Sequence, residues 1–322
     1  MAALLLMTVP TCFVACSSDN GEENTTLETP QFETVSALYD VTSTDSDIKS
    51  IELTASGNYI IVKNSSSYLA PKKTTNKKTR LVVRTVSKAK RAGGVENIIY
   101  GKFTKISNSE FMLKGYGKIV IEGSSDNALS ITVTPDGGQT YTVPVAKHTQ
   151  NFSSTLTSKI CRTWSIASVR YAITFGGKKI FDKEYSMNDL SKLNADLKDL
   201  SKEDPIDVDE FYDDDEEIPT QVIFTKSGTF MVTYTDGTVE MSTWTWENEA
   251  EGLLHYKYYD NNDELESYVN VAFRDNQLAL TESIVSDVSY PDIVSKSESE
   301  GDIVTESESE YAAITWYMNE VK

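Results

Sequence analysis

The feature that most constrains this chain is a short alternation of apolar and polar side chains, interrupted again and again by turn residues. Successive side chains of a strand point to opposite faces, so such runs describe strands with one buried face. From Val222 the chain reads VIFT, the turn Lys226-Ser227-Gly228, then TFMVTY and Asp236-Gly237. Asp-Gly supplies the positive φ that a tight hairpin turn requires. The next run sets Val239, Met241, Thr243 and Thr245 on one face and Glu240, Ser242, Trp244 and Trp246 on the other. Leu254, Tyr256 and Tyr258 then alternate with His255 and Lys257. Val269, Val271 and Phe273 lead to the turn Arg274-Asp275-Asn276, and Leu278 and Leu280 complete that hairpin. With an opening strand near 164–174 and a last one near 312–321, the pattern predicts about eight antiparallel strands, a number whose closure encloses a packed or ligand-sized interior. Closure also removes the two exposed edges of a meander.

The amino-terminal half carries the same kind of signal. SIELTASGNYIIV at 50–62 aligns with QVIFTKSGTFMVT at 221–233, placing Ser56-Gly57 over Ser227-Gly228. IIYGKFTKIS, EFMLKGYGKIVIEG, ALSITVTPDGG and TYTVPV continue as strands between short turns. A second β-meander is predicted, either a diverged copy of the first or a β-sandwich. Charge separates the halves: residues 1–150 hold 16 Lys and Arg against 14 Asp and Glu, residues 151–322 hold 14 against 35. The shift falls at the polar stretch 148–159, read as a linker between domains at 37–147 and 160–322. The net charge of −19 argues against nucleic acid as a partner, because its phosphates are repelled by an acidic surface.

Residues 1–16, MAALLLMTVPTCFVAC, are uncharged and apolar apart from two threonines, and too few to span a bilayer. They read as a hydrophobic signal segment, although no Lys or Arg precedes Lys49 to supply a positive leader. Phe13-Val14-Ala15-Cys16 resembles the lipobox of bacterial lipoproteins, and the acidic SSDNGEENTT resembles the tether of surface lipoproteins. The resemblance implies a lipid on Cys16, a flexible tether over 17–36, the membrane as a partner and a place at the outer membrane or cell surface. Cys161 then remains as the thiol of the mature body, read from KICRTW as a small buried residue.

The order TWSIASVRY, VIFTKSGTFMVTYTDGTVEMSTWTWENE, LHYKYYD, NQLALTES and AITWYMNEV resembles the lipocalin-like domain of bacterial lipoproteins. That family opens on a Gly/Arg-Thr-Trp strand, matched by Arg162-Thr163-Trp164, and passes through a Ser/Asp-Gly-Thr-Phe hairpin. The resemblance covers about residues 160–320 and implies a mainly β fold, with an eight-stranded barrel at the carboxy terminus. It also implies binding of a small apolar or amphipathic ligand. Alternation picks Phe230 or Met231, Trp244, Trp246, Tyr256 and Tyr258 as lining residues, against the plainer reading of a filled aromatic core. An accessory subunit of a surface complex, with filled barrels and a protein partner, is the rival function.

Two insertions interrupt the family pattern, at 186–217 and 284–310. In the first, Met187, Leu190, Leu193, Leu197 and Leu200 form one apolar stripe of an amphipathic helix over Ser186–Glu203, with Ser186 and Asp189 as a capping-box-like start. It either covers a wall of the barrel or plugs one end. The acidic run after it, with Asp207, Asp209, Asp213, Asp214 and Asp215, has the oxygen ligands of a weak calcium site without EF-hand spacing; a solvated loop is the plainer reading. In the amino-terminal domain, residues 72–91 hold nine Lys or Arg and no acid, suited to the acidic loop, to anionic head groups or to solvent. No nucleophile elbow, phosphate loop or metal-spaced His/Cys set is present, and His148 and His255 lie in different halves. The chain reads as a binding protein without a cofactor, not an enzyme.

Overall fold

The computed structural model describes residues 27–64, 98–123, 128–148, 154–175, 178–203, 218–260, 263–286 and 310–321. They form a mainly β protein with two closed antiparallel barrels in sequence order. The first contains β1 (Ala37–Val41), β2 (Ile48–Leu53), β3 (Asn58–Lys63), β4 (Ile98–Lys105), β5 (Glu110–Leu113), β6 (Gly117–Gly123), β7 (Leu129–Pro135) and β8 (Tyr141–His148). Each strand pairs with the next, and β1 closes on β8 with Leu38 opposite His148 and Val41 opposite Val145. The sandwich alternative is thereby set aside. The interior is apolar, built from Ile51, Leu53, Tyr59, Ile61, Phe103, Phe111, Leu113, Ile119, Ile131 and Val133.

The second barrel follows α1 (Thr155–Ile160) and opens with β9 (Thr163–Phe175), β10 (Lys178–Ser186) and α2 (Leu190–Glu203). It continues through β11 (Pro219–Phe224), β12 (Thr229–Tyr234), β13 (Val239–Asn248) and β14 (Leu253–Asp260). The last strands are β15 (Asp263–Arg274), β16 (Gln277–Ser286) and β17 (Glu310–Glu320). β9 pairs with β17 from Trp164 opposite Glu320 to Phe175 opposite Glu310. Its other edge is divided: Thr163 to Ser165 bond β11, and Ser168 to Phe175 bond β10. Eight strands close and β10 is an added ninth.

α2 packs on β10, beside the point where β10 and β11 part. Leu193 and Leu197 are buried with Phe181 and Tyr185 of β10, so the helix completes a wall. The Tyr185 hydroxyl donates to Asp196 at 2.5 Å and Lys183 reaches the same carboxylate at 2.7 Å. The helix begins at Leu190 and not at Ser186. Ser186 ends β10, and its hydroxyl donates to Asp189 across a tight turn ahead of the helix.

The two barrels repeat one topology and one hairpin chemistry. In the β2–β3 turn the Asn58 amide donates to the Thr54 hydroxyl at 3.0 Å, and Gly57, at φ 78°, donates to the Thr54 carbonyl at 3.1 Å. In the β11–β12 turn Thr229 and Gly228, at φ 86°, make the same bonds to Thr225 at 3.0 and 3.1 Å. The carbonyl of each glycine then receives a strand amide, Phe103 in one barrel and Trp244 in the other. The alignment of 50–62 with 221–233 is therefore an alignment of equivalent hairpins.

These hairpins meet. Ser56 and Asn58 hydrogen-bond Thr163, Lys226 pairs with Glu33, and Ser227 donates to Glu52. Beside them Ile60 packs with Ile223, Met231 and Val239 from the outer wall of the second barrel. Glu52 is buried in this interface, and burial pushes its carboxyl above the usual range against the opposing hydroxyls of Ser227, Thr225 and Thr229. Between the ordinary carboxyl pKa and that raised value the folded state holds more protons than the unfolded one, so stability falls as pH rises through the window. Glu52→Gln, which keeps an acceptor without the charge, is expected to flatten that slope and raise the melting temperature above it. Thermal melts from pH 4 to 8 check this; an unchanged slope refutes it.

Candidate functional site

The second barrel is closed at one end by α1. Ser154 caps that helix by accepting the Thr157 amide at 3.0 Å, and Glu249 accepts the Thr157 hydroxyl at 3.0 Å. Two indoles fasten the barrel to it: Trp164 donates to the Ile160 carbonyl at 2.9 Å and Trp246 to the Thr157 hydroxyl at 2.8 Å. Cys161, at the end of α1, is buried, and burial pushes its thiol well above the usual range, so it is an inert packing group.

Above the helix lies a floor of rings. Phe224 meets Phe230 at 4.8 Å and Trp244 edge-on at 5.8 Å, Phe230 meets Tyr256 at 5.9 Å, and Trp244 meets Trp246 at 5.8 Å. Offset and edge-on contacts of this kind add to the burial of large apolar surfaces. Phe230, Trp244, Trp246 and Tyr256 thus come together inside, as a packed base. Met231 does not join them. It pairs with Met241 on the outer face and is buried against the amino-terminal barrel, because two adjacent strand residues cannot both point inward. Tyr258 belongs to β14, but its side chain lies outside the description, as do Cys16, the basic stretch 72–91 and Asp207, Asp209, Asp213, Asp214 and Asp215.

Farther from the helix the inward faces become polar. The Tyr234 hydroxyl donates to Glu240 at 2.7 Å, and Glu240 shares the inward face with its cross-strand partner Val232. Midway along β16, Glu282 follows Leu278 and Leu280 at the inward positions, is 5% exposed, and accepts the Ser267 hydroxyl at 2.8 Å. Trp316, opposite Leu280 on β17, is 8% exposed, and its indole nitrogen meets no hydrogen-bond acceptor among the described residues. Burying an indole N–H in an apolar shell is costly without an acceptor. Glu282 was visible in the alternation as the residue after Leu278 and Leu280.

A concavity of about 360 Å³ lies on the outer face of β9, β15, β16 and β17 over Ala172, Ala272, Ala279 and Ala313. Its guanidiniums are already engaged. Arg170 binds Asp182 through two bonds of 2.7 and 2.8 Å, and Arg274 stacks on Tyr317 and binds Glu184 at 2.8 and 3.0 Å. Hydrogen bonds from these arginines, joined at Asp182 by one from Lys179 at 2.8 Å, hold both carboxyls below the usual range, so both guanidiniums are spoken for. Comparison with known proteins finds no matching family model, curated protein or solved structure. Function must be read from the barrels themselves.

Proposed function

We propose that this chain is a lipid-anchored protein of the cell envelope whose carboxy-terminal barrel, a lipocalin-like cup, binds a small amphipathic ligand without chemical turnover. The contrast between the two barrels carries this reading. The amino-terminal one has strands of four to eight residues around an apolar interior. Its sister extends β9, β15 and β17 to 13, 12 and 11 residues, and it buries Glu282 and the Trp316 indole. A barrel that only needs filling gains nothing from a buried carboxylate, whereas a ligand site combines apolar walls with a few placed polar groups.

The anchor suits this arrangement. Leu27 packs against the core of the second barrel, and the Glu28 carbonyl accepts Arg162 at 2.6 Å beside α1. A lipid on Cys16, eleven residues earlier, holds the helix-closed end within about 40 Å of the bilayer and turns the other end outward. Growth with a labelled fatty acid is expected to mark the native chain and not Cys16→Ala. Native mass spectrometry of the purified protein is expected to show a bound small molecule, and its removal to leave a barrel whose tryptophan fluorescence responds to apolar probes. A dry barrel unresponsive to such probes, recovered with a stable protein partner, overturns the ligand reading in favour of a filled accessory subunit.

A further inference from the structure

We infer that residues 27–36 are a releasable clasp: closed, they lock the two barrels in one orientation, and released, they leave the barrels to pivot on the wall they share. This holds with or without a lipid on Cys16 or a ligand in the second barrel. The segment crosses between the barrels more than once. Leu27 packs on the core of the carboxy-terminal barrel, and the Glu28 carbonyl accepts Arg162 at 2.6 Å. The Phe32 ring then lies on the amino-terminal barrel, 4.7 Å from Phe103, and the Phe32 amide donates to the Ala55 carbonyl at 3.1 Å. Glu33 reaches back to Lys226, and Val35 returns to the amino-terminal core before β1 begins. Gly57 makes room for this path, since a Cβ there would stand 2.8 Å from the Phe32 ring.

The barrels touch each other directly in two places. Beneath the clasp their hairpin turns meet through side-chain hydrogen bonds, Ser56 and Asn58 to Thr163 and Ser227 to Glu52, bonds that water can replace when the turns part. Three residues along β3 from Gly57, Ile60 packs with Ile223, Met231 and Val239. That patch is apolar and non-directional, so it joins the barrels without fixing the angle between them. A modest contact between domains leaves relative motion as the default, and the clasp, gripping both turns beyond the patch, removes it. The clasp is also the weakest part of the junction. Leu27 and Phe32 are only partly buried, Glu28 is exposed, and among the described residues the segment's one backbone bond to a barrel is the bond from Phe32. Segments with few buried contacts and few backbone bonds open at low free energy. Whatever fastens the chain ahead of residue 27 therefore pulls on the clasp before it pulls on a strand.

Two measurements on the full chain test this, both with Cys12 and Cys16 changed to Ser. In native-state hydrogen exchange the Phe32 amide is expected to exchange at least about a hundredfold faster than the slowest amides of β2, by an opening that leaves both barrels protected. Exchange as slow as in β2 makes the segment an integral part of the barrel, and the proposal falls. Nitroxides at Thr142→Cys and Thr245→Cys, exposed on the two barrels, report the distance between them by pulsed electron resonance, with Cys161 shielded by burial. The chain with its clasp intact is expected to give one narrow distance. Leu27→Ala with Phe32→Ala and Glu33→Gln is expected to give a distribution at least about twice as wide, with the near-ultraviolet circular dichroism of the barrels kept. A folded triple variant that keeps the narrow distance overturns the proposal, and so does a broad distribution with the clasp intact. The exchange measurement needs no clasp variant, so the proposal stays open to refutation even if the triple variant misfolds.

Discussion

Trp164→Ala is expected to destabilise the carboxy-terminal barrel by about 4 kcal/mol, within the range for emptying a large aromatic site that cannot collapse. Trp164 is fully buried, 6.1 Å from the ring of Phe273, and its N–H is the bond that ties β9 to the end of α1. The variant loses the apolar contact, leaves a cavity at the foot of the barrel and removes one of the two donors to the Ile160 carbonyl, which keeps the Arg162 amide at 2.7 Å. Trp164→Phe retains most of the packing and loses chiefly the hydrogen bond, for a smaller cost of about 1–2 kcal/mol. Urea unfolding followed by near-ultraviolet circular dichroism reads both. If Trp164→Ala costs less than about 1 kcal/mol, α1 is not a structural lid and the closed-end description fails. The ordering matters too, since a Phe variant as damaging as Ala places the energy in the hydrogen bond and not in the packing.

Period-2 alternation made the strands and their inward residues legible because the barrel wall obeys the rule that one face packs and the other meets solvent. It worked for Trp244, Tyr256 and Phe230. It failed to choose between Phe230 and Met231, because both are apolar, and the outer face of β12 is also buried where the amino-terminal barrel covers it. A contact between domains is a non-local fact that no window of a dozen residues contains. The same limit hid β10. Its residues are too often charged to read as a buried strand, yet Asp182 and Glu184 are there to engage Arg170 and Arg274 across the sheet. The stretch read as a linker at 148–159 holds α1, whose six residues are too few for a helical period to show. The repeated hairpin was legible for the opposite reason: Thr-x-Ser-Gly makes its bonds within five residues, so the sequence already contains all the partners.

Arg162→Ala is the other substitution with a large expected effect, about 3 kcal/mol, at the lower end for breaking a buried pair because Glu320 keeps some access to water. Arg162 is buried at the junction of three segments, and each part of its guanidinium has a separate partner. Nε donates to the Lys159 carbonyl at the end of α1 at 3.1 Å, Nη1 to Glu320 of β17 at 2.5 Å, and Nη2 to the Glu28 carbonyl at 2.6 Å. Lysine cannot reproduce a planar fork aimed at three places, so Arg162→Lys is expected to recover only the pair with Glu320. The decisive comparison is Arg162→Met against Arg162→Met with Glu320→Gln. If the loss comes from a stranded carboxylate, the double variant regains more than half of the stability lost by the single one, and the two substitutions are strongly non-additive. Additive losses would instead assign the energy to the two carbonyl bonds. In that case limited proteolysis is expected to cut the segment around Glu28 sooner in either Arg162 variant than in Glu320→Gln, because only loss of the guanidinium frees the end of the tether from the foot of the barrel.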